Sequence, residues 1–166
     1  LGCHYLEVVR YLLGCEIKSV QAMTGRPVGF IDQPLEDIAL VAMEYENGAY
    51  GSMHAGYLQS TRSEYDHTLI IRGTEGEAHW SPMGGPALLA KSTHDSWKEA
   101  PERTIYHRLE PGPSGYASSK WMFNWMQEFV NRARDGRETE ITMRDALRVL
   151  QSIDAMYASA ASGRRI

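Results

Sequence analysis

Most of the features that betray a protein's function at sight are scarce or missing here. There are two cysteines in 166 residues, far fewer than a disulfide scaffold uses. Cys3 and Cys15 flank a predicted opening helix and lie roughly 18 Å apart along its axis at ~1.5 Å per residue, well beyond the ~7 Å that a disulfide tolerates between Cα atoms. Two free thiols point to a reducing compartment, and a cytoplasmic location is the expectation. No apolar run approaches the ~20 residues that a membrane span demands, and there is no secretory-signal pattern. The chain opens without a methionine and inside an element, so it reads as part of something longer. An excess of positive charge is absent too. The formal net charge is -4, the isoelectric point is near 5.9, and the basic residues are scattered in short pairs such as Arg132/Arg134. A binder of nucleic-acid backbones concentrates Lys and Arg, so no nucleic-acid partner is expected, and no membrane partner either.

The motif inventory has gaps of the same kind. Neither G-x-G-x-x-G nor G-x-x-x-x-G-K-[ST] occurs, so the usual phosphate cradles are missing, and no G-x-S-x-G elbow marks a serine nucleophile. Six histidines raise the question of a metal, yet none shows the i, i+4 spacing of a dedicated zinc site. His54, His67, His79 and His107 fall on separate predicted strands, and no metal is expected.

What is present is a hydrophobic fraction of 43% in a chain long enough to bury one core. "LGCHYLEVVRYLLG" predicts a helix that stops at Gly14, a residue suited to the left-handed conformation past a helix end. "CEIKSVQAMTG" reads as a strand. "DIALVAMEYENGAYGSMHAGYLQ" reads as two strands joined through Asn47-Gly48, the pair that favours a type I′ hairpin turn. A second hairpin follows in "YDHTLIIRGTEGEAHWSP", turning at "GTEG", and "PALLAKS" and "RTIYHRL" add two possible strands. The last third is helical. Ser118 or Ser119 can cap a helix carrying Trp121, Met122, Trp125, Phe129 and Val130 and ending at Gly136. Thr142 and Asp145 form a capping box for another, whose Ala146, Leu147, Leu150, Ile153 and Tyr157 line one face.

A helix, a run of antiparallel strands and two more helices predict an α+β fold: an open, mainly antiparallel sheet with helices packed on one face. In "DIALVAMEYE" both alternating sets of residues are largely apolar, whereas a strand with one wet face alternates. The other sheet face is therefore expected to receive a second copy of the chain, giving a dimer, unless this strand lies inside a monomeric sandwich. Among candidate site residues His4 stands out. It sits in the first turn of the opening helix with Glu7 three residues on, close enough to orient the ring, and the helix N-terminal dipole favours a neutral, proton-accepting imidazole.

Three segments, in this order, carry a family resemblance. "LGCHYLEVVRYLLG" resembles a D-x-G-x-H-x-x-D-x-x-x-x-L-x-G helix; "NGAYGSMHAG" and "YDHTLIIRGTEGEAHW" resemble central hairpins; "EFVNRARDGRETEITMRDALRVLQSIDAMYASAASGRRI" resembles an F-x-x-x-[IAV]-x-x-G helix pair with its closing motif. Together they resemble the C-terminal domain of the glucose-fructose oxidoreductase, inositol dehydrogenase and MocA (Gfo/Idh/MocA) family of NAD(P)-dependent oxidoreductases, over nearly the whole chain.

That resemblance implies a substrate-binding and oligomerisation domain spanning residues 1–166, taken from a two-domain enzyme whose nucleotide-binding Rossmann half is absent from this chain. It implies NAD or NADP, bound mainly by that other half, and a sugar, inositol or related polyol as substrate. It makes His4 the residue that handles the hydroxyl proton, a task for which imidazoles, with a reference pKa near ~6.5, are suited at neutral pH. Tyr65 matches a tyrosine that contacts the polyol in inositol dehydrogenases, and nearby Arg62 falls, on the sequence reading, at a strand entry where a carboxylate or hydroxyl-rich ligand can meet it. Glu7 stands where the family commonly has Asp, and the motif's first carboxylate would precede Leu1. The isolated chain is expected to be inactive. Two alternatives remain: a non-enzymatic ligand-binding or scaffold protein that keeps the fold, and a metal-assisted hydrolase or lyase built on strand histidines.

Overall fold

The computed structural model describes residues 2–27, 35–56, 68–74, 77–80, 88–90 and 120–166. The elements are α1 (Gly2–Leu13), β1 (Ile17–Gly25), β2 (Ile38–Tyr45), β3 (Tyr50–Gly56), β4 (Leu69–Arg72), β5 (Glu77–Trp80), β6 (Leu88–Ala90), α2 (Lys120–Arg134) and α3 (Met143–Ser162). The α+β class and the antiparallel pairing are as expected from the sequence. The strands divide between two three-stranded sheets, ordered β1-β2-β3 and β4-β5-β6. The chain forms two compact units, residues 1–62 with 140–166, and residues 63–139.

In the first unit α1 and α3 lie against one face of β1-β2-β3. Alternation explains which residues face them: Val20 and Ala22 of β1 and Val41, Met43 and Tyr45 of β2 are buried with Leu6 of α1 and Val149 and Met156 of α3. The register places Val20 beside Met43 and Ala22 beside Val41, so one apolar ladder runs across the two strands. Full burial of each large side chain is worth ~1.5–3 kcal/mol. The opposite face carries Met23, Leu40 and Tyr50, exposed to 70%, 46% and 79%, mixed with Gln21, Ser52 and His54.

Local signals are met with two corrections. Helix α1 ends at Leu13, and Gly14 takes φ 63°, which costs glycine nothing. The β2–β3 connection turns at Glu46-Asn47-Gly48, but it is not type I′. Only Gly48 has positive φ, 84°, and its N–H donates to Tyr45 O at 3.0 Å. That is a type I turn closed by a left-handed glycine, and the Asn47 side chain accepts from Ala49 N at 3.0 Å instead of adopting left-handed backbone.

The α3 capping box forms as read: Asp145 accepts from Thr142 N at 2.7 Å, while Thr142 Oγ1 accepts from Asp145 N. Its buried face differs from expectation. Val149, Met156 and Ser159 are buried and Ile153 packs beside them, whereas Leu147, Leu150 and Tyr157 are exposed to 53%, 58% and 47%. Both sets recur at helical spacing, and the sheet selected the one aligned with Ala22 and Val41.

Ser159, with no exposed surface, bonds three segments together. Its Oγ accepts from Ala22 N at 3.0 Å and donates to Arg164 O at 2.6 Å. Ile166 and Val20 exchange both backbone hydrogen bonds, so the closing tail covers part of the free edge of β1.

In the second unit Ile70 pairs with His79 and Ala78 with Leu89, which supports the second hairpin and places the "PALLAKS" strand at β6. Helix α2 stacks Trp125 on Phe129 with ring centroids 6.2 Å apart and is followed by Gly136 at φ 65°. The proposed caps Ser118 and Ser119, the "RTIYHRL" strand with His107, and His67 lie outside the described residues, as do the side chains of Trp121, Met122 and His79.

Candidate functional site

Helix α1 sorts its residues by rotation. At about 100° per residue, Leu6 and Arg10 stand roughly 200° and 240° around the axis from His4. Burying Leu6 and Arg10 against the sheet and α3 therefore turns His4 outward, and it is exposed in the first turn. An imidazole there is open to a ligand arriving from outside this unit. Among the described residues no group of His, Cys, Asp and Glu is arranged to hold a metal.

Glu7 does not attend to His4. Its carboxylate meets Arg10 Nη1 at 2.5 Å, because three residues onward on the same helix a guanidinium is the stronger partner. Arg10 also donates from Nε and Nη2 to the two oxygens of Glu16, at 2.8 and 2.6 Å, and Nη2 lies 3.6 Å from Asp145 Oδ1. Its side chain is 6% exposed. Glu16, contributing most, and Glu7 raise the pKa of this guanidinium further, against the opposing effect of burial. In return the bond from Arg10 lowers the Glu16 pKa, and the bonds from Thr142 lower that of Asp145. Sequence reading missed Arg10. The signal available was its i, i+4 spacing from Leu6 on the apolar stripe Leu6, Val9, Leu13, where a lone cation calls for buried partners.

A cavity of about 280 Å³ opens beneath the first turn of α1, between that helix, α3 and the inner sheet face. Its lining includes Cys3, Leu6, Val41 and Met156 together with Glu36, Asp37, which is 1% exposed, and Tyr157. Tyr157 Oη donates to Glu36 Oε1 at 2.6 Å, and this bond raises the phenol pKa. Both cysteines are free, Cys3 exposed and Cys15 half-buried. Tyr65 and Arg62 lie outside the described residues, so of the four expected site residues the structure describes two: His4, which is exposed, and Glu7, which pairs with Arg10.

Comparison with known proteins agrees with this architecture. The chain is 27% identical to a D-apiose dehydrogenase of Rhizobium rhizogenes, over all of its own length and 47% of the relative's. It is 26% identical to a D-apiose dehydrogenase of Paraburkholderia graminis, covering 43% of that protein. Among solved structures it is similar to an oxidoreductase from Agrobacterium radiobacter in complex with NAD+, L-tartaric acid and magnesium, with TM-score 0.77 and 25% identity, over 100% of this chain and 47% of that one. A levoglucosan dehydrogenase with NADH and levoglucosan shares the fold at TM-score 0.79 and 22% identity, again over the full chain and 48% of its counterpart. The chain thus spans about half the length of these relatives. The family model described as "Oxidoreductase family, C-terminal alpha/beta domain" matches residues 1–166 throughout, and the chain belongs to that family, the Gfo/Idh/MocA oxidoreductases.

Proposed function

We propose that this chain is the substrate-binding and oligomerisation domain of an NAD(P)-dependent dehydrogenase acting on a sugar, inositol or related polyol. The observation that carries the reading is the outward presentation of His4 in the first turn of α1, in a chain belonging to an oxidoreductase family whose similar members include D-apiose dehydrogenases.

The cofactor does not fit this chain as its own site. The sequence has no glycine-rich phosphate turn, and the described strands are antiparallel where a dinucleotide fold needs βαβ units. NAD or NADP is accordingly assigned to a nucleotide-binding half outside residues 1–166, and when bound it supplies the hydride acceptor. His4 accepts the proton of a secondary hydroxyl as that carbon becomes a carbonyl, a general-base role worth ~10²–10⁴-fold. Tyr65 and Arg62 hold other hydroxyls. Glu7, engaged with Arg10 on the same helix, helps to pair that guanidinium rather than touching substrate. The exposed sheet face bearing Met23, Leu40 and Tyr50 is where a second copy docks, and the free thiols suit a cytoplasmic enzyme. Among the described residues no helix is long and apolar enough to cross a membrane.

The test compares the whole enzyme with residues 1–166 alone. The whole enzyme should reduce NAD+ or NADP+ with at least one member of a panel of aldoses, inositols and anhydrosugars, and the isolated chain should not. Micromolar NAD affinity in the isolated chain, or a whole protein inert across the panel, contradicts the reading.

A further inference from the structure

We propose that Arg10 is a positioning residue for His4, fixing the rotation of α1 and so the place of the imidazole; the inference rests on the role proposed above for His4. Of the three carboxylates on Arg10, Glu7 belongs to the same helix and cannot anchor it to anything else. The other two are external. Glu16 precedes β1 and takes the guanidinium in a two-pronged bond at 2.8 and 2.6 Å. Asp145 stands at the third position of α3, 3.6 Å away, where the capping box with Thr142 already immobilises it. A two-pronged bond fixes the plane of the guanidinium as well as its distance.

Helix α1 spans 12 residues and packs on the core through Leu6, fully buried, with Val9 and Leu13 partly buried beside it. Such apolar contacts resist lifting the helix off the sheet, but they are non-directional and fix rotation less sharply than a fork of hydrogen bonds. Arg10 lies one turn beyond Leu6 and grips two separate elements, which makes a lever against rotation. Its effect is felt at the other end. His4 projects from the opposite side of the helix, and a rotation of about 10° carries a ring some 6–8 Å off axis through roughly 1 Å. A displacement of that size at a reacting group costs about 10²-fold in rate.

The experiment measures roll and catalysis separately. In a Cys15→Ser background, Cys3, exposed and adjacent to His4, is spin-labelled together with an Asp154→Cys site on the exposed side of α3, and the distance distribution is recorded in the whole enzyme with Arg10, with Arg10→Lys and with Glu16→Gln. The unlabelled enzyme and both variants are assayed for kcat and KM, with His4→Gln as reference. Both clamp variants should broaden or shift the distance, lower kcat by about 10- to 100-fold, and leave KM within twofold. Arg10→Lys keeps the charge and loses the fork, so the retained charge alone should not rescue either readout. An unchanged distance distribution overturns the proposal, and so does a broadened one with wild-type kcat. A His4→Gln enzyme with full kcat shows instead that the role given to His4 has failed.

Discussion

The two ends of α1 treat a polar side chain in opposite ways. His4, in the first turn, is exposed. Arg10, in the last, is buried and held by Glu7, Glu16 and Asp145. Both are basic groups on one short helix, separated by less than two turns. What differs is the demand on each. A buried cation is tolerable only when it is paired in full, and a fully paired cation is chemically inert but mechanically useful. A proton acceptor must remain able to exchange its proton, so it belongs where a ligand can reach it. On the proposed reading, stability and chemistry are thus allotted to opposite ends of the same element, and the buried end also sets the place of the open one.

The largest expected effect is at the open end. His4→Gln should reduce the kcat of the whole enzyme by ~10²–10⁴-fold, with a thermal midpoint close to the parent's, because the side chain removed is exposed. A midpoint that falls sharply would mean that His4 is part of the packing.

At the buried end the order reverses, with stability lost first. Arg10→Met removes the charged hydrogen bonds to Glu7 and Glu16 and should cost on the order of 1.5–3 kcal/mol, read as a lowered urea midpoint of the isolated chain with its slope unchanged. Thr142→Ala removes the oxygen that caps α3 and orders Asp145, and should cost about 1 kcal/mol, also by urea titration. A loss as large as that of Arg10→Met would show that the cap, not the clamp, governs this corner.

The smallest effect is a pH dependence confined to the clamp. Glu16 and Asp145 have folded-state pKa values below their ordinary ones, Glu16 chiefly through the bond from Arg10 and Asp145 chiefly through Thr142. As pH falls through the carboxylate range the unfolded chain takes up these protons first, so stability rises with pH there and is fully present above the unfolded values. Glu16→Gln should flatten the fall in thermal midpoint between about pH 5 and pH 3. An identical slope in parent and variant would remove Glu16 from the account.

How much of this the sequence discloses depends on the range over which each interaction acts. Gly14, the Thr142/Asp145 box and the Asn47-Gly48 turn are local: each is decided within a few residues, and each lies where it was expected, although the turn type was not. The buried side of α3 is not local. Leu147, Leu150 and Tyr157 recur as regularly as Val149, Ile153 and Met156, and only the sheet decides between them. Arg10 is harder still, because an arginine on a short amphipathic helix reads as surface until Asp145, 135 residues away in the chain, is brought beside it. At His4 it is the exposure that was legible, since the helix face it occupies follows from the positions of Leu6, Val9 and Leu13. Glu7 was legible as a neighbour of His4 but not as a partner of Arg10.

The central claim is that the exposed imidazole of His4 is the base that accepts the substrate's hydroxyl proton. Its most direct test is the pH dependence of kcat/KM for the whole enzyme, measured in parallel with parent and His4→Gln. The account predicts that activity falls on the acid side with a slope of one proton in the parent, and that this limb is absent from the much slower variant. The same acid limb in both proteins would place the base elsewhere and contradict the account.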